Sequence, residues 1–94
     1  MAQDQQTVAL TDGQWTQLTN ADVTSITFQV LRGQAFIRYT TDTTTPTEEN
    51  GVHYPELTGE LDAAIADLTN LTGADRVWAK PCSADPTTIY VDHA

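Results

Sequence analysis

The sequence predicts a mainly β fold, either an antiparallel β-sandwich or a jelly-roll-like barrel, with room for one short helix. Apolar and polar residues alternate with period two in several short segments, as they do in half-buried strands. Threonine is abundant, and its branched Cβ favours the extended backbone. Turn residues separate these segments at regular spacing, which is typical of sandwiches and barrels. The 94 residues fit one domain.

The polar residues 1–6 predict an N-terminal arm, and residues 7–94 are expected to form the single β domain. Met1, Gln3 and Gln5 belong to this arm, which carries almost no side chain able to enter a core. The arm is either a frayed end or a docking segment that orders against a neighbouring molecule. After it, residues 8–10 predict a short strand, the dipeptide Asp12-Gly13 a turn, and residues 15–18 a second strand.

The clearest alternation runs through residues 23–39. Its apolar positions are Ile26, Phe28 and Val30 in the first half, then Ala35, Ile37 and Tyr39 in the second. Residues 31–34 separate the two halves and contain Gly33, which can supply the positive φ of a tight hairpin loop. We therefore predict two strands that pair with each other as a β-hairpin.

The second half of the chain predicts a loop, a brief strand, a short helix and two further strands. Residues 40–50 are polar, rich in threonine and interrupted by Pro46, which indicates an exposed loop. Residues 52–54 suggest a brief strand. The leucine and isoleucine spacing over residues 57–71 matches one helical face, but Gly59 and the threonines limit the predicted helix to residues 62–68. Residues 76–80 and 88–92 alternate as strands.

The charge and the cysteine count exclude several classes of function. The chain has 13 acidic and 4 basic residues, a net charge of -9, so direct binding to nucleic acid is not expected, because that affinity depends on Lys and Arg. The single cysteine, Cys82, allows no internal disulfide and no thiolate zinc site. We also expect no membrane segment, because no apolar stretch is long enough to span a bilayer.

No combination of residues predicts a catalytic centre, a metal site or a cofactor. His53 and His93 are far apart in the sequence, so a structural or surface role is favoured over metal binding. Cys82 has no histidine close in sequence to activate it, which favours an inert thiol. Asp42, Glu48 and Glu49 offer oxygen ligands for a hard cation, but they lack the alternating acidic pattern of a calcium loop. A solvated acidic loop is the preferred interpretation.

An aromatic and cationic strip on the strands is the strongest candidate for a binding surface. If Val77 and Ala79 face the core, Arg76, Trp78 and Lys80 point outward; by the same alternation, so do Phe36 and Arg38. Such residues dominate the energy of protein interfaces. In the competing interpretation, Trp78 packs under a covering loop and is shielded by the stems of the cations.

Four segments together resemble a known family: LTDGQW at residues 10–15, the alternating residues 26–39, LTGADRVWAK at residues 71–80 and IYVD at residues 89–92. They are similar to small β-rich virion structural proteins of tailed bacteriophages. This resemblance implies a capsid decoration or cement protein on the capsid surface. Its partners would be the major capsid protein and copies of itself, often as a trimer.

Two other functions stay open. The resemblance also allows a tail, fibre or host-attachment module that binds proteins or glycans. A separate class would be a small enzyme or metal-dependent binder that uses His53 together with the acidic loop. We expect a binding protein of the virion that is not an enzyme, with residues 1–6 and the strip as its docking surfaces.

Overall fold

The chain folds as a β-sandwich of two four-stranded antiparallel sheets. The computed structural model describes residues 4–19, 23–41, 44–84 and 86–93. Sheet A has the strand order β1 (Asp4–Ala9), β8 (Thr88–His93), β3 (Ser25–Arg32) and β6 (Gly59–Ala64). Sheet B has the order β2 (Thr16–Gln17), β7 (Arg76–Pro81), β4 (Ala35–Thr40) and β5 (Val52–Tyr54). The predicted mainly β class and its sandwich form are confirmed.

The core lies between the sheets because each strand's alternation gives it one apolar face. Its buried members come from both sheets and the segments beside them: Leu18, Val23, Ile26, Phe28, Val30, Ala35, Ile37, Ile65, Val77, Ala79, Ile89 and Val91. In β8 the burial pattern alternates strictly, with Ile89 and Val91 fully buried. The strands predicted over residues 52–54, 76–80 and 88–92 are therefore confirmed, and so is the inward orientation of Val77 and Ala79.

The predicted hairpin of residues 23–39 is wrong. β3 pairs with β6 and β8 in sheet A, whereas β4 pairs with β5 and β7 in sheet B. Alternation shows only that each strand has one buried face, and two strands facing each other across a core satisfy it equally well. Gly33 does adopt a positive φ of 80°, but the connection that it forms crosses from one sheet to the other.

Residues 4–6 of the predicted arm lie in a strand, and the predicted helix is shorter than expected. β1 begins at Asp4 and pairs with β8, Asp4 opposite His93 and Gln6 opposite Val91, so the boundary after Gln6 falls inside a strand. The backbone hydrogen bonds of the ladder outweigh the lack of apolar side chains in this segment. The helix α1 comprises only Ile65–Leu68, and residues 62–64 belong to β6. None of the described helices is long and apolar enough to cross a membrane.

A polar and aromatic contact joins the sheets where β5 and β6 form neighbouring edges. The Tyr54 hydroxyl donates to Glu60 Oε2 at 3.1 Å, and the Tyr54 ring packs edge-on against Phe28 with centroids 4.9 Å apart. Burial, followed by the Glu60 carboxylate, raises the pKa of Tyr54 to about 12. Burial, followed by the proximity of Tyr54, also raises the pKa of Tyr39. Both phenols are therefore held in their neutral form.

Candidate functional site

The five residues of the predicted strip lie together on the outer face of sheet B. β4 and β7 pair antiparallel, with Phe36 opposite Lys80, Arg38 opposite Trp78, and Thr40 opposite Arg76. Residues that face each other in a ladder point to the same side of the sheet. The sequence predicts the alternation within each strand but not that β4 pairs with β7. This pairing brings the two halves of the strip together.

Trp78 is nevertheless not an exposed anchor. Only 5% of it is accessible, and its indole Nε1 donates to Thr40 Oγ1 at 2.8 Å. Arg76 is also largely covered, with 12% of its side chain exposed and a 2.8 Å ion pair to Asp75. Trp78 and Arg76 therefore lie on the outer side of the sheet, as predicted, but they do not form an open surface. The competing interpretation, a tryptophan packed under a loop and shielded by cations, agrees with this burial.

The end of the polar loop, residues 48–50, is bonded to side chains on the outer face of sheet B. Three side chains donate to three successive main-chain oxygens: Trp15 Nε1 to Glu48 O at 2.8 Å, Lys80 Nζ to Glu49 O at 3.3 Å, and Arg38 Nε to Asn50 O. Arg38 also lies 3.8 Å from the Glu48 carboxylate. These bonds hold the loop across the outer face of sheet B, beside the position of Trp78.

A smaller patch remains partly exposed at the rim of this loop. Phe36 and Lys80 are half-buried, and 33% of the Arg38 side chain is exposed. The Phe36 ring lies 6.0 Å from the ring of His53, and Lys80 Nζ lies 6.0 Å from the centre of the Trp15 ring. We call these five residues the cation–aromatic patch. Trp15 and His53 were not predicted to belong to it, because only the pairing with β5 and the loop bonds bring them there.

Two of the three arm residues that were predicted to bind a partner lie outside the described residues. Met1 and Gln3 belong to residues 1–3, which the structure does not describe. Gln5 lies in β1, and its backbone is opposite Asp92 of β8. The backbone of Gln5 is therefore part of the domain's own sheet and not of a free or docking arm.

The other candidate groups do not assemble into a site. Asp42 of the predicted cation loop lies outside the described residues, and Glu48 is the ion-pair partner of Arg38. In the part of the chain that the structure describes, no three His, Cys, Asp or Glu residues are placed to hold a metal ion. His53 Nε2 lies 2.7 Å from Gln34 Oε1, and His93 is buried at the end of β8.

Cys82 is half-buried, and its thiol has no feature of an activated nucleophile. Its backbone N–H donates to Gln34 O at 3.0 Å. Burial raises the pKa of its thiol, which is the opposite of the shift that a nucleophilic cysteine needs. This environment agrees with the predicted inert thiol.

A second surface was not predicted from the sequence, in which its two leucines are only part of a helical spacing over residues 57–71. Leu57 is 64% exposed and Leu61 is 83% exposed, and both line a groove of about 390 Å³ on the side of sheet A. Leu61 lies in β6, where a strand, not a helix, determines its direction.

No family model, curated protein or solved structure matches this chain.

Proposed function

We propose that this chain is a capsid decoration protein of a tailed bacteriophage, which binds the major capsid protein at the capsid surface and stabilises the shell. The cation–aromatic patch carries the proposal. Phe36, Arg38 and Lys80 stay partly exposed on a domain whose net charge is -9. Aromatic and arginine side chains supply most of the binding energy at protein interfaces.

The loop bonds favour a rigid docking surface. Arg38, Lys80 and Trp15 are fixed by the main chain of residues 48–50, so little side-chain freedom is lost when a partner binds. A protein that binds only the assembled shell stabilises that state by mass action. Such binding at many equivalent sites would clamp the shell against the pressure of the packaged DNA.

The test is to titrate the purified protein onto shells that lack it. We expect saturable binding and a higher temperature of shell rupture. Lys80→Glu should abolish binding, whereas the matched control Arg32→Glu, an exposed cation at the end of β3, should bind normally. Absence of binding by the unaltered protein would overturn the proposal, and glycan binding in its place would favour the host-attachment module.

The arm should be tested by deleting residues 1–3 alone. β1 begins at Asp4, so a deletion through residue 6 would remove half of a paired strand and destabilise the domain. Loss of shell binding in the shorter deletion, with an unchanged unfolding midpoint, would assign these residues to the interface with the shell or with a second copy of the chain, as in a trimer. Unchanged binding would leave the interface to the patch.

A further inference from the structure

Two leucines, Leu57 and Leu61, are exposed at the groove beside β6, although leucine side chains are usually buried. Leu57 has a φ of 67°, a left-handed conformation that leucine rarely adopts. Its N–H donates to Val30 O at 2.6 Å, and its carbonyl accepts from Gln29 Nε2 at 3.2 Å. The backbone is thus fixed by β3, while 64% of the side chain stays exposed. Leu61 is exposed on the same groove.

The floor of the groove between these leucines is Gly59. A Cβ at this position would collide with the Phe28 carbonyl oxygen and lie 2.8 Å from Gln29 Cα, so only glycine lets β6 approach β3 so closely. Tyr90 of β8 lies opposite Gln29 and also lines the groove. The result is a concave surface with apolar side chains at its rim and a volume of about 390 Å³, similar to the smaller pockets that bind ligands.

The charge around the groove indicates the chemistry of its occupant. Asp62 and Asp92 line an adjoining depression that shares Thr27 with the groove. Arg38, Arg76 and Lys80 all lie on sheet B, and the fourth cation, Arg32, is at the end of β3. The side chains that line the groove include no cation among the described residues. A second copy of this chain would bring a net charge of -9, which disfavours it as the occupant of this groove, whereas a basic segment would be attracted here.

The backbone of β6 indicates how such a segment would bind. β6 is the edge strand of sheet A, but Asp62 has a φ of 48° and its N–H donates to Thr27 Oγ1 at 2.7 Å. This kink interrupts the regular edge that β-strand addition requires. The occupant therefore lies in the groove on the face of the sheet and does not extend the sheet as a further strand.

We infer that this groove binds an extended basic segment of a partner protein, with an apolar side chain between Leu57 and Leu61 and a Lys or Arg beside Asp62 and Asp92. The inference does not depend on the partner's being a capsid protein. The protein would then have two docking surfaces, the cation–aromatic patch on sheet B and this groove at the edge of sheet A.

The probe for the test is a labelled peptide of six residues, the length of β6, in which lysine alternates with leucine. Fluorescence anisotropy should show saturable binding that weakens with added salt. Leu61→Ala and Leu57→Gly should each lower the affinity by about tenfold to a hundredfold, the loss expected for one buried leucine. Glycine suits the φ of residue 57, and Leu61 is almost fully exposed, so neither variant should lower the urea midpoint.

Leu71→Ala is the matched control, because Leu71 is 46% exposed and does not line the groove; it should bind like the unaltered protein. Asp62→Asn should reduce the salt dependence of peptide binding, because it removes one negative charge beside the groove. The fold should be kept, since asparagine also tolerates a positive φ. Equal binding of a peptide with glutamate in place of lysine, or unchanged binding by Leu61→Ala, would overturn the inference. So would sedimentation showing a dimer that Leu61→Ala dissociates. Shell binding lost in Lys80→Glu but kept in Leu61→Ala would separate this groove from the proposed function.

Discussion

Gly33 is the residue at which the chain crosses from sheet A to sheet B, and its replacement by alanine tests that crossing. An added Cβ would lie 2.5 Å from Thr87 Oγ1 and 2.8 Å from the Pro86 carbonyl oxygen. Gly13 provides a matched control, because its φ of 74° resembles the 80° of Gly33 but a Cβ there would meet nothing within 4 Å.

The two alanine variants share one cost and differ in another. A positive φ costs an alanine about 1–2 kcal/mol, and the reduced freedom of the unfolded chain offsets about 0.4–1 kcal/mol of this in both variants. Overpacking against the backbone of Pro86 adds about 1–3 kcal/mol for Gly33→Ala alone. The difference between the variants, about 1–3 kcal/mol, is therefore the quantity that reports on the packing of the crossing.

The assay is urea unfolding followed by tryptophan fluorescence, in which the buried Trp78 serves as the reporter. With a typical dependence of stability on urea for a small domain, Gly33→Ala should unfold about 1 M earlier than Gly13→Ala. Equal midpoints would show that residue 33 does not approach Pro86 and Thr87. The arrangement of β3 and β4 in separate sheets would then be in error, since a hairpin loop would leave this glycine free of that contact.

Three further predictions concern side chains inside the domain. Trp78→Ala should destabilise the fold by about 3–5 kcal/mol and Trp78→Phe by less, measured by urea unfolding; an unchanged midpoint would contradict the burial of this residue and its bond to Thr40. The contribution of the tyrosines to stability should be constant between about pH 8 and 10 and fall as the pH rises toward 12, because the unfolded chain ionises its tyrosines before the folded chain ionises Tyr54 and Tyr39. Tyr54→Phe should reduce this loss, and an equal slope would refute the raised pKa values. Cys82 should react with iodoacetamide more slowly than free cysteine at about pH 8, since burial raises its pKa; an equal rate would contradict that shift.

The strands were predictable wherever one face is buried and the other is not. Ile89 and Val91 alternate with partly exposed neighbours in β8, and the sequence shows this period directly. The pairing of strands is a different property. Ile26, Phe28 and Val30 would be buried equally well in a hairpin with β4 or in a facing sheet, so local periodicity cannot select between them. The connection between the two strands is instead bonded to distant segments, Gly33 N–H to Glu56 and Gln34 O to Cys82 N–H.

The segment of residues 57–71 shows how a helical spacing can predict a helix that is longer than the one the chain forms. Its leucines and its isoleucine recur at helical intervals, but Leu57 and Leu61 are exposed, whereas Ile65 is buried and Leu68 packs against the core. The close approach of Gly59 to β3 fixes residues 59–64 as a strand, and the helix begins only at Ile65. Tertiary pairing therefore overrides a helical pattern that Gly59 had already weakened.

The sequence predicted which residues form the candidate surface, but it did not predict how exposed each of them is. Phe36, Arg38 and Lys80 were identified from alternation, and the pairing of β4 with β7 joins them. The burial of Trp78 depends on tertiary contacts such as the bond of its indole to Thr40, and no periodic pattern in the sequence contains that information. Trp15 is part of the same surface through its bond to Glu48 O, a contact made across 33 positions of sequence.

The way in which this loop is attached has a consequence for how freely its sequence can vary. Trp15, Arg38 and Lys80 hold it through the carbonyl oxygens of residues 48–50, and every amino acid, proline included, supplies a carbonyl. Apart from the ion pair of Arg38 with Glu48, the attachment thus depends on the three residues of the scaffold and not on the side chains of the loop. Homologues can diverge at positions 48–50, and a library of sequences can be displayed there, without loss of the anchor that keeps the loop on the sheet.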